Sequence, residues 1–216
     1  MITIRYIKYL LHYFINRILG IDNHTRNQLE NWLKLLDIKT DRVLDVGVGF
    51  EPVYKRVGKW RVKKYRTLDN NLENHVSPNF ELDLNLIESK NNKNIAKKIR
   101  NFLPNNIFCL EVMEYIYNPM IILRFFHQTL AKNGILYISF HTFYPYHKPY
   151  RADYLRYTKS GITKLLKEAG FSKWEITPRL AKAGKKELLA FFKKEGMLGF
   201  RDKINLEIGY MIKAYK

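Results

Sequence analysis

The sequence predicts a layered α/β domain in which helices alternate with the strands of one central sheet. Two patterns support this prediction. Short apolar runs rich in β-branched residues alternate with segments whose apolar residues recur at helical spacing. One such run, residues 43–46, leads directly into two closely spaced glycines and a proline, which indicates a buried strand, a tight turn and the start of a helix.

Boundary residues then place the individual elements. Pro52 and Pro119 suit the first turn of a helix, Thr158 or Ser160 can cap a later helix, and Gly170 can end it. The predicted strands are 42–46, 65–68, 80–82, 106–112, 135–140, 174–177 and 209–214. The predicted helices are 23–36, 53–57, 95–103, one that starts at 119, and one that ends at 169.

Length and composition indicate one packed globular domain. The chain has 216 residues, of which 46% are hydrophobic and 14% aromatic, which is enough for a substantial core. The single cysteine, Cys109, excludes an intrachain disulfide and a cysteine-based metal site, and we predict no bound metal. A reducing, cytoplasmic compartment is therefore expected.

The charge balance is strongly basic. Lys and Arg number 38 against 20 Asp and Glu, so the formal net charge is +18. Such a surface favours acidic partners, namely nucleic acid, an anionic membrane leaflet or a phosphorylated substrate. The alternative is that the charge serves solubility alone, because the basic residues are spread along the chain and form no arginine-rich block.

The first 19 residues predict a basic amphipathic helix. Arg5, Lys8, His12 and Arg17 interrupt an otherwise apolar and aromatic stretch, so it fits neither a membrane-spanning helix nor a signal peptide. This helix either lies on an anionic membrane surface, which would make the protein peripheral at the inner membrane face, or packs on the domain itself. We predict residues 1–38 as an N-terminal helical extension and residues 39–216 as the main domain.

The turn after residues 43–46 indicates a nucleoside-type ligand. Gly47 and Gly49 allow a sharp turn and a close approach of a ligand to the backbone. Asp69, at the end of the second predicted strand, can accept hydrogen bonds from both ribose hydroxyls. A dinucleotide is disfavoured, because Pro52 replaces the third glycine of that fingerprint and Glu51 would repel a pyrophosphate. S-adenosyl-L-methionine carries an ammonium and a sulfonium but no phosphate, so carboxylates near the turn suit it.

With these residues in place, the chain resembles the class I methyltransferases, in particular the methyltransferase-11-like group. The resemblance covers about residues 43–171. It depends on four motifs in order, which are LDVGVGFEPVY at 44–54, EVMEY at 111–115, LAKNGIL at 130–136 and the YPYH…DYLRYT segment at 144–158. Departures are Glu51 in place of a glycine, Tyr115 in place of a histidine, and Pro104-Asn105 before the fourth strand in place of Phe-Asp.

The resemblance implies a Rossmann-like, seven-stranded, mostly parallel sheet flanked by helices, with one antiparallel strand near the edge. It also implies that residues 39–216 bind S-adenosyl-L-methionine through residues at the ends of the first four strands. These are Asp45, Gly47 and Gly49 at the methionine end, Asp69 at the ribose, Asp83 and Leu84 at the adenine, and Glu111 beneath the sulfonium, with Asn70 as a further cofactor-binding residue.

The loop after the fifth strand is expected to face the transferred methyl group, because ligands of open α/β sheets bind beyond the carboxyl ends of the strands. His147 and His141 are the candidate general bases. The alternative for His147 is that it orders the loop through backbone hydrogen bonds. Arg156 could grip a phosphate or carboxylate on the acceptor, or instead pair with Asp153 and shape the loop.

These features predict a methyltransferase that acts on a small-molecule, glycan or lipid-linked acceptor. An RNA methyltransferase is the second hypothesis. The net charge favours it, but the sequence contains no separate RNA-binding module and no Asn-Pro-Pro-Tyr-like tetrad. A non-catalytic protein that retains the cofactor-binding fold is the third.

Overall fold

The structure is a computed structural model that describes residues 24–49, 51–70, 77–144, 152–180, 194 and 207–216. Its helices are α1 (His24–Lys34), α2 (Lys93–Phe102), α3 (Pro119–Thr129) and α4 (Lys159–Ala169). Its strands are β1 (Asp37–Val46), β2 (Lys59–Asp69), β3 (Phe80–Glu81), β4 (Asn106–Cys109), β5 (Ile135–His141), β6 (Lys173–Leu180) and β7 (Glu207–Tyr215).

These strands form one seven-stranded sheet in the order β3-β2-β1-β4-β5-β7-β6. The pairs from β3 to β5 are parallel, whereas β7 runs antiparallel to both β5 and β6. The prediction of a mostly parallel sheet with one antiparallel strand near its edge is confirmed. Because β1 to β5 are parallel, the loops after their carboxyl ends lie along one edge of the sheet.

The two faces of the sheet are covered differently. Helices α2, α3 and α4 pack on one face through a cluster that includes Ile99, Phe126 and Leu166. Of the described helices, only α1 covers the other face, where Leu33 lies with Val43 and Phe108 among the buried residues. The predicted core-facing helix is confirmed, but it ends at Lys34, and Leu35 of its predicted apolar face is exposed.

The predicted helix over 53–57 is wrong, because the chain forms only a single 3-10 turn at Val53–Lys55 before β2 begins. The end of α1 occupies the space that a longer helix would need. Gly58 donates its N–H to the Leu33 carbonyl, and a Cβ at Gly58 would lie 1.9 Å from the Lys34 carbonyl oxygen. The link from β1 to β2 therefore passes closely beneath α1, with Val53 and Val57 buried there.

Strands β1 and β2 start earlier than their apolar runs indicate. Residues 37–40 pair with residues 59–62 as a two-stranded parallel ribbon that extends beyond the pairing of β1 with β4. Within the described residues β3 pairs with β2 only at Leu68 and Asp69, so most of β2 is an edge strand. Its exposed residues are Lys59, Arg61, Lys63, Lys64 and Arg66, and cations of this kind discourage pairing with another strand.

The predicted amphipathic helix over residues 1–19 lies outside the described residues. Among the residues that the structure does describe, no helix is long and apolar enough to cross a membrane. The predicted division of the chain at residues 38 and 39 stays a prediction, although α1 shares its core with the sheet and β1 already begins at Asp37.

We predict that the covering of the second face by α1 depends on Leu33. Leu33 is 0% exposed, whereas Leu35, just beyond the helix end, is 85% exposed. Leu33→Ala should lower the free energy of unfolding by about 2–5 kcal/mol, because it leaves a cavity in the core. Leu35→Ala is the matched control, with an expected change within about 0.5 kcal/mol. Urea unfolding measures both, and equal effects would contradict the packing of α1 described above.

Candidate active site

The glycine turn after β1 stands at the carboxyl edge of the sheet. Gly47 has φ +70° and Gly49 has φ +54°, values that side-chain-bearing residues rarely adopt. Gly47 donates its N–H to the Leu68 carbonyl at 2.9 Å, which joins the turn to the end of β2. A Cβ at Gly47 would lie 2.2 Å from Val112 Cγ2, whereas a Cβ at Gly49 would meet, among the described residues, only the Gly47 carbonyl oxygen, at 4.0 Å. The turn is thus closely packed on one side and open on the other.

Asp45 supports this turn from below. Its Oδ2 accepts hydrogen bonds from the Val53 N–H at 2.8 Å and from the Tyr65 hydroxyl. Burial raises the pKa of Asp45 to about 6, although the hydrogen bond from Tyr65 acts in the opposite direction. The described contacts therefore assign Asp45 a role in holding the turn, and its predicted contact with the methionine end of a cofactor stays a prediction.

Asp69 and Asn70 end β2 beside the same turn. Asp69 Oδ2 lies 3.4 Å from the Gly49 nitrogen and accepts its N–H, so the carboxylate faces the open side of the glycine turn. Asn70 follows it and is exposed. The structure brings the turn and the two residues together, as a ribose-binding role requires, but that role stays a prediction.

Asp83 and Leu84 follow β3. Asp83 is half-buried, and its Oδ1 accepts the Asn85 N–H at 2.9 Å to cap a 3-10 turn at Leu84–Leu86. Leu84 itself is buried in the core. A cavity of about 260 Å³ lies between residues 84–89 and residues 117–122. The predicted adenine contacts of Asp83 and Leu84 stay predictions.

Glu111 marks the end of β4 and has a strained backbone. The predicted strand 106–112 stops at Cys109, and Glu111 adopts φ +59°, which is uncommon for a residue with a side chain. Its N–H donates to Ser139 Oγ at 2.7 Å, and the Ser139 hydroxyl donates to Glu111 Oε1 at 2.8 Å. The guanidinium of Arg179 donates to both carboxylate oxygens of Glu111. Neighbouring β5 and the more distant β6 thus fix this carboxylate.

His141 and Glu114 extend this arrangement into the interior. His141 Nε2 lies 3.1 Å from Glu111 Oε2 and 3.4 Å from Glu114 Oε1. The side chains of His141 and Glu114 are 2% and 1% exposed, and that of Glu111 is 22% exposed. Of the two glutamates, Glu111 is therefore the one that faces the edge of the sheet. We call the four side chains of Glu111, Glu114, His141 and Arg179 the buried charge cluster.

The pKa values of the two glutamates in the buried charge cluster are shifted in opposite directions from the usual value. Burial by itself would raise the pKa of Glu111, but the charge of Arg179 and the hydrogen bond from His141 hold it well below its usual value. Burial, together with the negative charge of Glu111, raises the pKa of Glu114 to about 7. Two carboxyls with separated pKa values in one site are typical of acid–base chemistry.

Comparison with solved structures identifies the fold. An S-adenosylmethionine-dependent methyltransferase from Archaeoglobus fulgidus matches with a TM-score of 0.55 at 13% identity, covering 94% of this chain and 99% of its own. One from Mesorhizobium loti matches with a TM-score of 0.52 at 13% identity, covering 91% and 100%. A third, from Thermotoga maritima and described as a possible histamine N-methyltransferase, has a TM-score of 0.50 at 14% identity over 98% and 96%.

The chain has the class I methyltransferase fold. The predicted resemblance is thereby confirmed at the level of the fold. No protein-family model matches the sequence, and no curated protein matches it.

The predicted catalytic residues stand at the end of β5, which is His141, and in the segment that follows it. Arg156 forms a two-pronged ion pair with Asp153 and donates from Nε to the Tyr144 carbonyl at 3.1 Å. The alternative that Arg156 shapes the loop through Asp153 is confirmed, and its contact with an acceptor stays a prediction. His147 lies outside the described residues. His141 is too deeply buried to meet an acceptor directly in this conformation, so its role as a base stays a prediction.

Three members of the site were missed by the sequence analysis, namely Glu114, Ser139 and Arg179. Glu114 stands in the EVMEY motif, and that motif was the available signal for it. Ser139 is a single polar residue within an apolar strand, and Arg179 comes from an edge strand 68 positions after Glu111, so only the tertiary fold reveals their roles. Among the described residues, no group of His, Cys, Asp and Glu side chains is arranged to hold a metal ion.

We predict that Gly47 is required for the packing of this turn as well as for its backbone conformation. Gly47→Ala should lower the free energy of unfolding by about 2–4 kcal/mol, since strain at positive φ adds to the collision with Val112. Combining it with Val112→Ala should recover the part of the loss due to that collision, which a double-mutant cycle in urea unfolding measures. Gly49→Ala is the control, because it should show no coupling to Val112→Ala.

Proposed function

We propose that the protein binds S-adenosyl-L-methionine and transfers its methyl group to an acceptor. The observation that carries this proposal is the open glycine turn of a class I methyltransferase fold with the Asp69 carboxylate directly beside it. A nucleoside whose ribose hydroxyls donate to Asp69 would place its neighbouring atoms along the backbone of Gly47 and Gly49.

Charge supports a cationic cofactor at this edge. Asp69 is the last residue of β2, Glu51 and Glu111 follow β1 and β4, and Glu51 is exposed. These carboxylates would attract the ammonium and sulfonium of S-adenosyl-L-methionine and would repel a pyrophosphate. Methyl transfer itself is a direct displacement, for which the protein mainly supplies alignment and exclusion of water.

We propose a small-molecule, glycan or lipid-linked acceptor. Tyr117 and Tyr154 are exposed, and their rings meet edge to face with centroids 5.9 Å apart. Tyr154 donates its N–H to the Glu114 carbonyl, which places this aromatic pair next to the buried charge cluster. Exposed aromatic rings offer apolar faces with a polar rim, which suits sugar rings and other amphipathic acceptors.

A non-catalytic protein would bind the cofactor without transferring a labelled methyl group from it into components of a cell extract.

We predict that Asp69 is a ribose ligand. Wild-type protein should bind S-adenosyl-L-methionine and its demethylated product in isothermal titration calorimetry. Asp69→Ala should weaken both by about tenfold or more, because it removes hydrogen bonds to a charged group. Asp41→Ala is the matched control, since Asp41 is exposed and pairs with Lys63 on the ribbon formed by β1 and β2. Absence of binding by folded wild-type protein would refute the proposed function.

An RNA methyltransferase is the second candidate, and the exposed edge of β2 favours it. Its five cations are exposed along an extended strand, and two of them, Arg61 and Lys63, pair with Asp37 and Asp41. Arg66, the last of the five, lies over the rings of Phe80 and Phe102. A row of cations of this kind fits the regularly spaced phosphates of a nucleic acid strand.

If RNA binds along β2, its affinity should fall steeply with salt and should depend on Lys59 and Lys64. Replacing both by Ala should reduce the slope of log K against log salt by about 1.4, at roughly 0.7 for each phosphate contact on a single strand. Replacing Lys164 and Lys167 on α4 is the control. Fluorescence anisotropy with labelled RNA measures these slopes, and identical slopes for all three proteins would rule out β2 as the RNA-binding edge.

A further inference from the structure

The buried charge cluster contains one more ionisable pair than is needed to fix Glu111. Arg179 already neutralises Glu111 through two hydrogen bonds. Glu114 and His141 are then a second acid and base, 3.4 Å apart and almost fully buried. With one proton shared between them, the four side chains carry no net charge. Without that proton the buried charge cluster carries a single negative charge.

We propose that Glu114 and His141 together hold one exchangeable proton, which they release when a sulfonium binds beside Glu111 and take up again when the methyl group leaves the sulfur. This inference rests on the proposed function and deepens it. It assigns a proton-accepting site to side chains that lie behind the surface that the cofactor would contact.

The geometry allows the proton to come and go without disturbing Glu111. Glu114 Oε2 and His141 Nδ1 are buried and have no hydrogen-bond partner among the described residues. The other polar atom of each side chain, Glu114 Oε1 or His141 Nε2, makes the contacts within the buried charge cluster. Each group can therefore change its protonation at the unpartnered atom while its contact inside the cluster persists. A buried polar atom without a hydrogen-bond partner raises the free energy of the folded protein. The balance between the protonated and unprotonated forms at such an atom therefore responds to a nearby charge.

The other groups around Glu114 leave its carboxyl as the one whose pKa is shifted to near neutral pH. Among the described residues, the titratable and charged groups around Glu114 and His141 are Glu111, Arg179, Tyr115, Tyr144, Tyr157, Cys109, Asp153 and Arg156. Burial raises the pKa of each of the three phenols and of the thiol above its usual value. Asp153 is held by Arg156, and Glu111 is held ionised by Arg179. The pKa of Glu114, at about 7, is close to neutral pH.

Glu111 links this pair to the cofactor side. Its carboxylate is the partly exposed member of the buried charge cluster, and its Oε2 contacts His141. A positive charge beside Glu111 favours the negatively charged form of the cluster, because the low dielectric of the interior makes the interaction strong. Loss of that positive charge favours uptake of a proton again.

The charges balance over one turnover. The bond between the methyl carbon and sulfur breaks, its electron pair stays on sulfur as a neutral thioether, and a bond from the methyl carbon to the acceptor oxygen or nitrogen forms. The acceptor then loses one proton, and Glu114 and His141 gain one. The negative charge of the buried charge cluster thus disappears in the same step as the positive charge of the sulfonium.

The test is the number of protons released on binding. Isothermal titration of the full chain at pH 7, in phosphate and in Tris, measures this number from the difference in buffer ionisation heat. S-adenosyl-L-methionine should release roughly half a proton more than its neutral demethylated product, since a group titrating near the working pH is about half protonated. Glu114→Gln should abolish this difference while both ligands still bind. Glu168→Gln, an exposed glutamate on α4, is the matched control.

A second measurement needs no variant. Because binding of the cation releases a proton, its affinity relative to the neutral product should rise by about tenfold between pH 6 and pH 8. A ratio that is independent of pH, or a proton difference that survives in folded Glu114→Gln, would overturn this inference. Absence of binding by either ligand would instead refute the proposed function, so the two failures are distinguishable.

Discussion

The pairing of Arg179 with Glu111 is the interaction on which the site depends. A guanidinium with no exposed surface must have a partner, because an uncompensated buried charge costs several kcal/mol. Glu111 supplies that partner from a left-handed backbone conformation, and Ser139 bonds both its N–H and its carboxylate. Strand β6 at the far edge of the sheet is thereby tied to the end of β4 near its centre. The antiparallel strand β7 makes this possible, since it places β6 parallel to β5 with its carboxyl end at the site.

The other half of the site depends on packing instead of charge. The chain passes from β1 to β2 by a short link, whose only regular element among the described residues is one 3-10 turn. Helix α1 compensates by covering the face that this link leaves open, and its end fixes the start of β2 through the hydrogen bond from Gly58 to Leu33. Asp45 then joins Val53 and Tyr65, so the glycine turn is held from both strands. Contacts of this kind lower the cost of ordering a binding turn when a ligand arrives.

Local signals explain which elements could be predicted from the sequence. Thr158 caps α4 by accepting the Gly161 N–H, and Gly170 ends that helix at φ +103°, as the residue types indicate. Strands β4 and β5 are buried apolar runs, and their positions were predicted, although β4 is shorter than expected. The early parts of β1 and β2 were missed because they are edge segments rich in charge, where pairing and not burial forms the strand. Arg179 was missed because its partner is distant in the sequence, and a basic residue near the end of a strand looks like any exposed cation.

The distribution of charge gives the strongest physical argument about what this edge of the sheet selects. In a chain with a formal net charge of +18 and only 20 acidic residues, Asp45, Asp69, Asp83, Glu111 and Glu114 all lie at or just after the ends of the first four strands. Cations are exposed along the opposite part of β2, away from these strand ends. A site for a phosphate-rich ligand would require the reverse arrangement, because carboxylates at its edge would repel the phosphates. These five acidic residues stand at one edge of the sheet, and this arrangement favours a small cationic ligand there while leaving the basic edge of β2 available to acidic partners.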